Sequence, residues 1–262
     1  MIKIFIVTDL EGISGIKHIS QVTDTDKPEY MYSRERLMAD TNAAIAGAFE
    51  GGADEVYVED GHGRGDNFIE GALDSRAVQC GITGKDAPDF NEISAFMHVG
   101  AHAMAGTQCA FLDHTQSSVS WHDYFVNGRP SGELVQSGLL AGAYNIPYIF
   151  VSGDEAACAE GRRFFGDIST AAVKYAVKRN EAVCMPDDEA AELIRRKAKE
   201  SIALIDKIRP YRVTMPMELK LELNRSDYCD NIVSYRKDVD RLDARTVRRV
   251  VNKIETYYDV LF

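Results

Sequence analysis

Four short apolar runs, each ending abruptly in an acid or a histidine, constrain the fold of this chain more than any other feature. Ile4-Phe5-Ile6-Val7 leads through Thr8 into Asp9-Leu10-Glu11-Gly12, and Glu55-Val56-Tyr57-Val58-Glu59 leads into Asp60-Gly61-His62-Gly63. Ala95-Phe96-Met97-His98-Val99-Gly100 ends in Ala101-His102, and the run from Ile146 to Ser152 ends in Gly153-Asp154-Glu155. Runs without polar alternation are the signature of strands buried on both faces. After the first run comes a polar loop through Asp24, Asp26 and Pro28. Leu37, Met38, Thr41, Ala44, Ile45, Ala48 and Phe49 then recur at helical spacing until Gly51-Gly52 stops the helix. Repeated strand-then-helix units predict an α/β chain with a central, largely parallel sheet flanked by helices. In such sheets the functional groups gather at the carboxyl ends of the strands, where the backbone leaves the packed layer and can aim side chains into a crevice.

Between the third and fourth runs lie Phe111-Leu112-Asp113-His114-Thr115, a strand-like stretch from Val119 to Val126, and the turn dipeptide Asn127-Gly128. Gly132-Glu133 then opens an amphipathic helix carrying Leu134, Leu139, Leu140 and Ala143. A carboxylate at a helix N-terminus is favourable by about 0.3–1 kcal/mol, which by itself accounts for Glu133. The last third changes character. Pro186 starts a long helix with Ala190, Ile194, Ala198, Ile202 and Ile205 on one face, and Met217 to Leu223 alternates strictly, apolar with charged. Amphipathic segments from Ser226 to Val233 and from Thr246 to Tyr258 close the chain. The change of pattern divides the chain into an α/β core, 1–185, expected to hold the functional site, and a smaller C-terminal α+β portion, 186–262, expected to pack on it and to serve in oligomerisation.

Charge limits the partners. With 30 basic and 41 acidic residues the net charge is −11, which disfavours nucleic acid and anionic membranes. No apolar run approaches the roughly 20 residues of a membrane span, and Ile4 to Val7 is too short for a signal-peptide core of about 7 to 15. The expectation is a cytoplasmic protein. Its five cysteines are scattered, without a close pair of the zinc-knuckle or redox type, so reduced thiols are expected.

Of the six histidines, His62, His102 and His114 fall at strand ends or in the loops that follow them. Histidine with carboxylate is a zinc-type ligand set, since imidazole nitrogen and carboxylate oxygen both suit that borderline cation. Any one of these histidines alone reads as a surface group; several at one crevice edge read as ligands. His98, inside an apolar run, and His18 and His122, in loops, are weaker candidates.

Asp9-Leu10-Glu11-Gly12, Asp60-Gly61-His62-Gly63, Gly100 through Thr107, Asp113-His114-Thr115 and Asn127-Gly128 with Gly132-Glu133, in that order, resemble the zinc-dependent D-aminopeptidases of the DppA type, peptidase family M55. The resemblance covers essentially the whole chain. It implies two Zn²⁺ per subunit, with Asp9 bridging, Glu11 and His62 completing one site, and His102 and Glu133 completing the other. His114 matches the family's proposed catalytic histidine. The family signature has Ser two positions before the aspartate, where this chain has Val7; a serine there would serve the surroundings of the ligands. Asp60 and Asp154 remain supporting candidates. The resemblance also implies a ring-like homo-oligomer, a decamer, and small peptide substrates such as D-Ala-D-Ala.

The implied chemistry is consistent with the residues. Hydrolysis beside a free amino terminus needs a hydroxide at neutral pH, a Lewis acid and an anchor for the amine; two zincs about 3.5–4 Å apart supply the first two. An imidazole, whose ordinary pKa lies near neutrality, suits proton transfer, the role the resemblance gives His114. The alternatives are another dinuclear metallohydrolase, such as an amidase or phosphoesterase, or a non-catalytic metal-binding scaffold. Against the phosphoesterase, no phosphate-cradling Gly-rich loop or basic cluster accompanies the motifs.

Overall fold

A computed structural model describes residues 1–23 and 25–262; Asp24, in the expected polar loop, lies outside the described residues. In chain order the elements are β1 (Lys3–Thr8), α1 (Ser20–Thr23), α2 (Pro28–Gly51), β2 (Glu55–Asp60), β3 (Val78–Cys80), β4 (Ala95–Ala101), β5 (Trp121–Val126) and β6 (Arg129–Ser131). There follow α3 (Glu133–Ala143), β7 (Tyr148–Asp154), α4 (Glu155–Phe165), β8 (Ser169–Lys178), β9 (Glu181–Cys184) and α5 (Asp187–Ser201). The chain closes with β10 (Met217–Leu223), α6 (Ser226–Tyr235), β11 (Asp240–Arg241), β12 (Thr246–Val251) and a 3-10 turn, Tyr257–Val260.

The four apolar runs are β1, β2, β4 and β7. They form the middle of a sheet ordered β3-β2-β1-β4-β7-β8-β9, parallel except for β9. Alternate residues of β1, β4 and β7 serve two cores, which is why those runs are mostly apolar, whereas β2 is fully buried only at alternate positions and carries Glu55 and Glu59 between them. On one face Ile4, Ile6, Val58 and Val99 pack with Leu37 and Ile45 of α2 and Ala190 and Ile194 of α5. On the other, Phe5, Phe96 and Tyr148 pack with Leu134, Leu139 and Leu140 of α3 and with β10. Each of these large side chains, fully buried, contributes about 1.5–3 kcal/mol.

The strictly alternating segment is β10, with Met217, Leu219, Leu221 and Leu223 buried and the charged residues between them partly exposed. It is central in a second, antiparallel sheet, β11-β12-β10-β5-β6. The Asn127-Gly128 dipeptide makes the β5–β6 hairpin turn, both residues at positive φ (49° and 76°). Because α3 lies between the two sheets, it is buried on nearly every side from Leu134 to Gly142 and is less amphipathic than its sequence suggests. The segment after Pro186 enters both layers: α5 lies against α2, and β10 pairs with β5. The sequence reading missed β3, three residues long, and the β8–β9 hairpin, where Lys174, Lys178 and Arg179 interrupt any clean alternation. Among the described residues no helix is long and apolar enough to cross a membrane, and the five cysteines are unpaired.

Candidate metal centre

The loop after β1 is pinned to the end of β4. Asp9 N–H donates to Val99 O (2.9 Å) and Gly12 N–H to Gly100 O (2.8 Å). A side chain at Gly12 would sit 2.1 Å from Ala101 O, and Gly100, at φ +81°, would place one 2.1 Å from Asp9 O. Only glycine permits this approach, which sets the carboxylate of Asp9 beside His102. From below, the buried Lys174 ammonium donates to Glu11 O (2.7 Å) and Ile16 O (2.8 Å).

Asp9 reaches in two directions. Its Oδ1 lies 3.1 Å from His62 Nδ1, which is also 3.0 Å from Glu11 Oε2, while its Oδ2 lies 3.2 Å from His102 Nε2. His102 Nε2 is in turn 3.4 Å from Glu133 Oε1. The ligand atoms of Asp9, Glu11 and His62 all fall within 4.8 Å of one another, as do those of His102, His114 and Glu133. The structure thus brings all six sequence candidates together at the carboxyl edge of the sheet. His102 Nδ1–H donates to Ala103 O (3.0 Å) and His114 Nδ1–H to Leu112 O (2.8 Å), bonds that orient each ring and leave Nε2 for the centre. Leu112 and Gln116, flanking His114, both hold positive φ (51° and 59°), and Gln116 N–H donates to Glu133 Oε1 (2.6 Å). Strained backbone of this kind persists where its surroundings fix it and gathers at functional sites.

The two supporting acids act through other groups. Asp60 Oδ2 accepts from Asn67 N–H (2.5 Å) and Phe68 N–H (3.1 Å), and Asn67 Nδ2 donates to His62 O (2.7 Å), so Asp60 braces the His62 loop. Asp154 caps α4 through Ala157 N–H and accepts from Phe111 N–H, anchoring the loop that leads to His114 (2.8 Å each).

The carboxylates bias the cluster toward positive charge. Burial alone would lower the His62 imidazole, but the Glu11 and Asp9 carboxylates override it and push it up to about 12. Burial likewise opposes, and Glu133 and Asp9 outweigh it, in raising His102. Asp9 is held well below the carboxylate range against its burial by His102 and His62. Three carboxylates, those of Asp9 and Glu11 buried and that of Glu133 partly so, face three imidazoles, and a divalent ion between them would leave every ligand in its coordinating form. Nitrogen and carboxylate oxygen are the donors zinc takes.

The centre opens into a cleft of about 230 Å³. Glu59, His98, Gln116, Ser137 and Tyr257 line it in addition to Asp9, Glu11, His62, His114 and Glu133. Val7 lies on its floor, so the position where the family usually has serine faces the cleft. Sequence reasoning had no hold on Glu59 or Tyr257 and ranked His98 low. Only strand register, which puts Val7 opposite both Glu59 and His98, could have flagged the first and third.

A parallel-sheet α/β fold with a buried carboxylate–imidazole cluster at its carboxyl edge, open to a cleft, is the construction of a metal-dependent hydrolase. The family model described as D-aminopeptidase, peptidase M55, matches residues 2–262, and the chain belongs to that family. It is 29% identical over 233 residues to the D-aminopeptidase of Bacillus subtilis (strain 168), spanning 86% of this chain and 82% of that protein. Its fold matches, with a TM-score of 0.91 and 24% identity over 99% of this chain and 95% of the other, the solved structure described as the Zn-dependent D-aminopeptidase DppA from Bacillus subtilis, a self-compartmentalizing protease.

Proposed function

We propose that this chain is a dinuclear zinc aminopeptidase that removes the N-terminal residue of short peptides, D-residues in particular. The observation that supports it most directly is the division of Asp9 between His62, 3.1 Å from Oδ1, and His102, 3.2 Å from Oδ2, the disposition of a bridging carboxylate. Asp9, Glu11 and His62 would hold one zinc, and Asp9, His102 and Glu133 the other. Bound there, zinc supplies a Lewis acid for the scissile carbonyl and lowers the pKa of water toward neutrality. His114, its Nδ1 proton committed to Leu112 O, accepts a proton at Nε2 and returns it to the leaving amine. The cleft that Gln116 and Tyr257 help to line is where a short peptide would enter.

Assembly is part of the proposal. The relative from Bacillus is described as self-compartmentalizing, and here the β8–β9 edge leaves Tyr175, Val177 and Val183 more than half exposed, an apolar strip suited to a subunit contact. These two observations and the family resemblance support a proposed ring-like homo-oligomer, and we propose that the C-terminal portion 186–262 adds further contacts to it.

The test is zinc content per chain measured together with turnover of D- and L-alanine p-nitroanilides and of p-nitrophenyl phosphate. Two zincs with preferential D-anilide hydrolysis support the proposal. One zinc, or faster phosphate-ester hydrolysis, overturns it.

A further inference from the structure

The cleft has a second polar wall that the metal centre does not use. In the parallel register Val7 pairs with Glu59 on one side and with His98 on the other, so Glu59, Val7 and His98 form one row across β2, β1 and β4, on the sheet face that also carries Asp9. All three line the cleft.

Both ends of this row keep acceptor capacity that no side-chain donor of the cleft uses. Glu59 Oε1 accepts from Ile82 N–H (3.1 Å), and among the described residues it has no ion-pair partner; no lysine or arginine lines the cleft. His98 is 4% exposed, and its Nε2 is buried without a partner. The protonation of that nitrogen follows from its neighbours. The Ser137 hydroxyl donates to Glu133 O (3.0 Å), so Ser137 Oγ is left to accept from Tyr148 O–H (3.1 Å). The Tyr148 oxygen then accepts from His98 Nδ1–H (3.2 Å), and Nε2 keeps its lone pair. Burial holds His98 neutral, its pKa lowered to about 4, and raises Glu59 to about 7, so both groups gain from a cationic donor brought between them. Val7 between them offers no hydroxyl to satisfy either.

A group with several N–H donors, a positive charge and a small radius fits: a primary ammonium. We propose that Glu59, with His98, forms the subsite that receives the free α-ammonium of the substrate and so restricts the site to amino-terminal residues. The inference rests on the peptidase reading above, because that reaction presents an ammonium one residue from the scissile carbonyl.

The experiment uses the full zinc-loaded chain. Calorimetric binding of D-alaninamide and of propionamide, which differ only in the ammonium, is compared for wild type, Glu59→Gln and His98→Gln, alongside turnover of D-alanine and propionyl p-nitroanilides and zinc content. Gln at position 59 keeps an acceptor for Ile82 N–H and removes the charge. The expected result is wild-type preference for D-alaninamide, at least a tenfold loss of that preference in Glu59→Gln with zinc unchanged, a smaller loss in His98→Gln, and a rise in KM larger than the fall in kcat. Wild type that binds propionamide as tightly, or a folded Glu59→Gln with unchanged preference, overturns the subsite. Wild type that prefers D-alaninamide but hydrolyses neither anilide supports the subsite and sinks the peptidase reading instead.

Discussion

The ring of His114 lies flat on that of His102, with centroids 3.9 Å apart and planes inclined by 12°. The stack ties a proton-transfer candidate to a ligand candidate, and it separates two roles that a variant can tell apart. His114→Ala is expected to keep two zincs and the fold while losing turnover about a hundredfold or more, the usual effect of removing a general acid-base group. Metal analysis of the purified variant checks this; loss of one zinc would place His114 among the ligands, with His102 and Glu133.

Asp9→Asn is expected to weaken both metals together. Its two oxygens serve His62 and His102 separately, and the amide nitrogen of Asn cannot coordinate. Glu11→Gln should mainly release the metal shared with His62. Zinc stoichiometry with circular dichroism measures both; a folded Asp9→Asn protein that retains two zincs would show that the aspartate does not bridge.

Lys174→Met should loosen the centre from behind. The variant leaves the Glu11 and Ile16 carbonyls without their buried donor, at a cost of about 1–3 kcal/mol each. Thermal denaturation should show the loss of stability, and chelator competition should show weaker zinc binding. Wild-type zinc affinity in a destabilised Lys174→Met protein would mean that Lys174 supports the fold and not the Glu11 loop.

Glu160→Gln tests a pH-dependent cost. Burial pushes the Glu160 carboxyl up to about 7, against an ordinary value of 4.5; its Oε2 accepts from Met104 N–H and its Oε1 has no partner. Below about pH 4.5 both folded and unfolded forms are protonated. Between 4.5 and 7 the unfolded chain sheds the proton and the folded one keeps it, so stability falls as pH rises, by on the order of 3 kcal/mol in all. The variant lacks this term and should gain on wild type from pH 4.5 to 7, then hold a constant advantage. A difference in melting temperature that stays flat over that range would refute the assignment.

The parallel sheet was legible because strands buried on both faces write themselves as unbroken apolar runs, and the acids and histidines that end them stand out. Asp9, Glu11, His62 and His102 were visible for the same reason, whereas His114, in a loop, and Glu133, at a helix start, took their roles from the family resemblance. Glu59 and His98 were not: one looks like the polar edge of a strand and the other like a filler within it, and their kinship through Val7 exists only once β2, β1 and β4 are known to be neighbours. The β8–β9 hairpin escaped because Lys174, buried to hold the Glu11 loop, reads in sequence as a solvent-facing residue.

Tyr257 closes the cleft from a turn more than 120 residues beyond the last candidate ligand, Glu133, its hydroxyl 3.4 Å from both Gln116 and Gln136. Order of synthesis therefore matters. A nascent polypeptide exposes every candidate ligand long before it has made Tyr257, so the lining of this cleft is completed last, once translation has passed that residue.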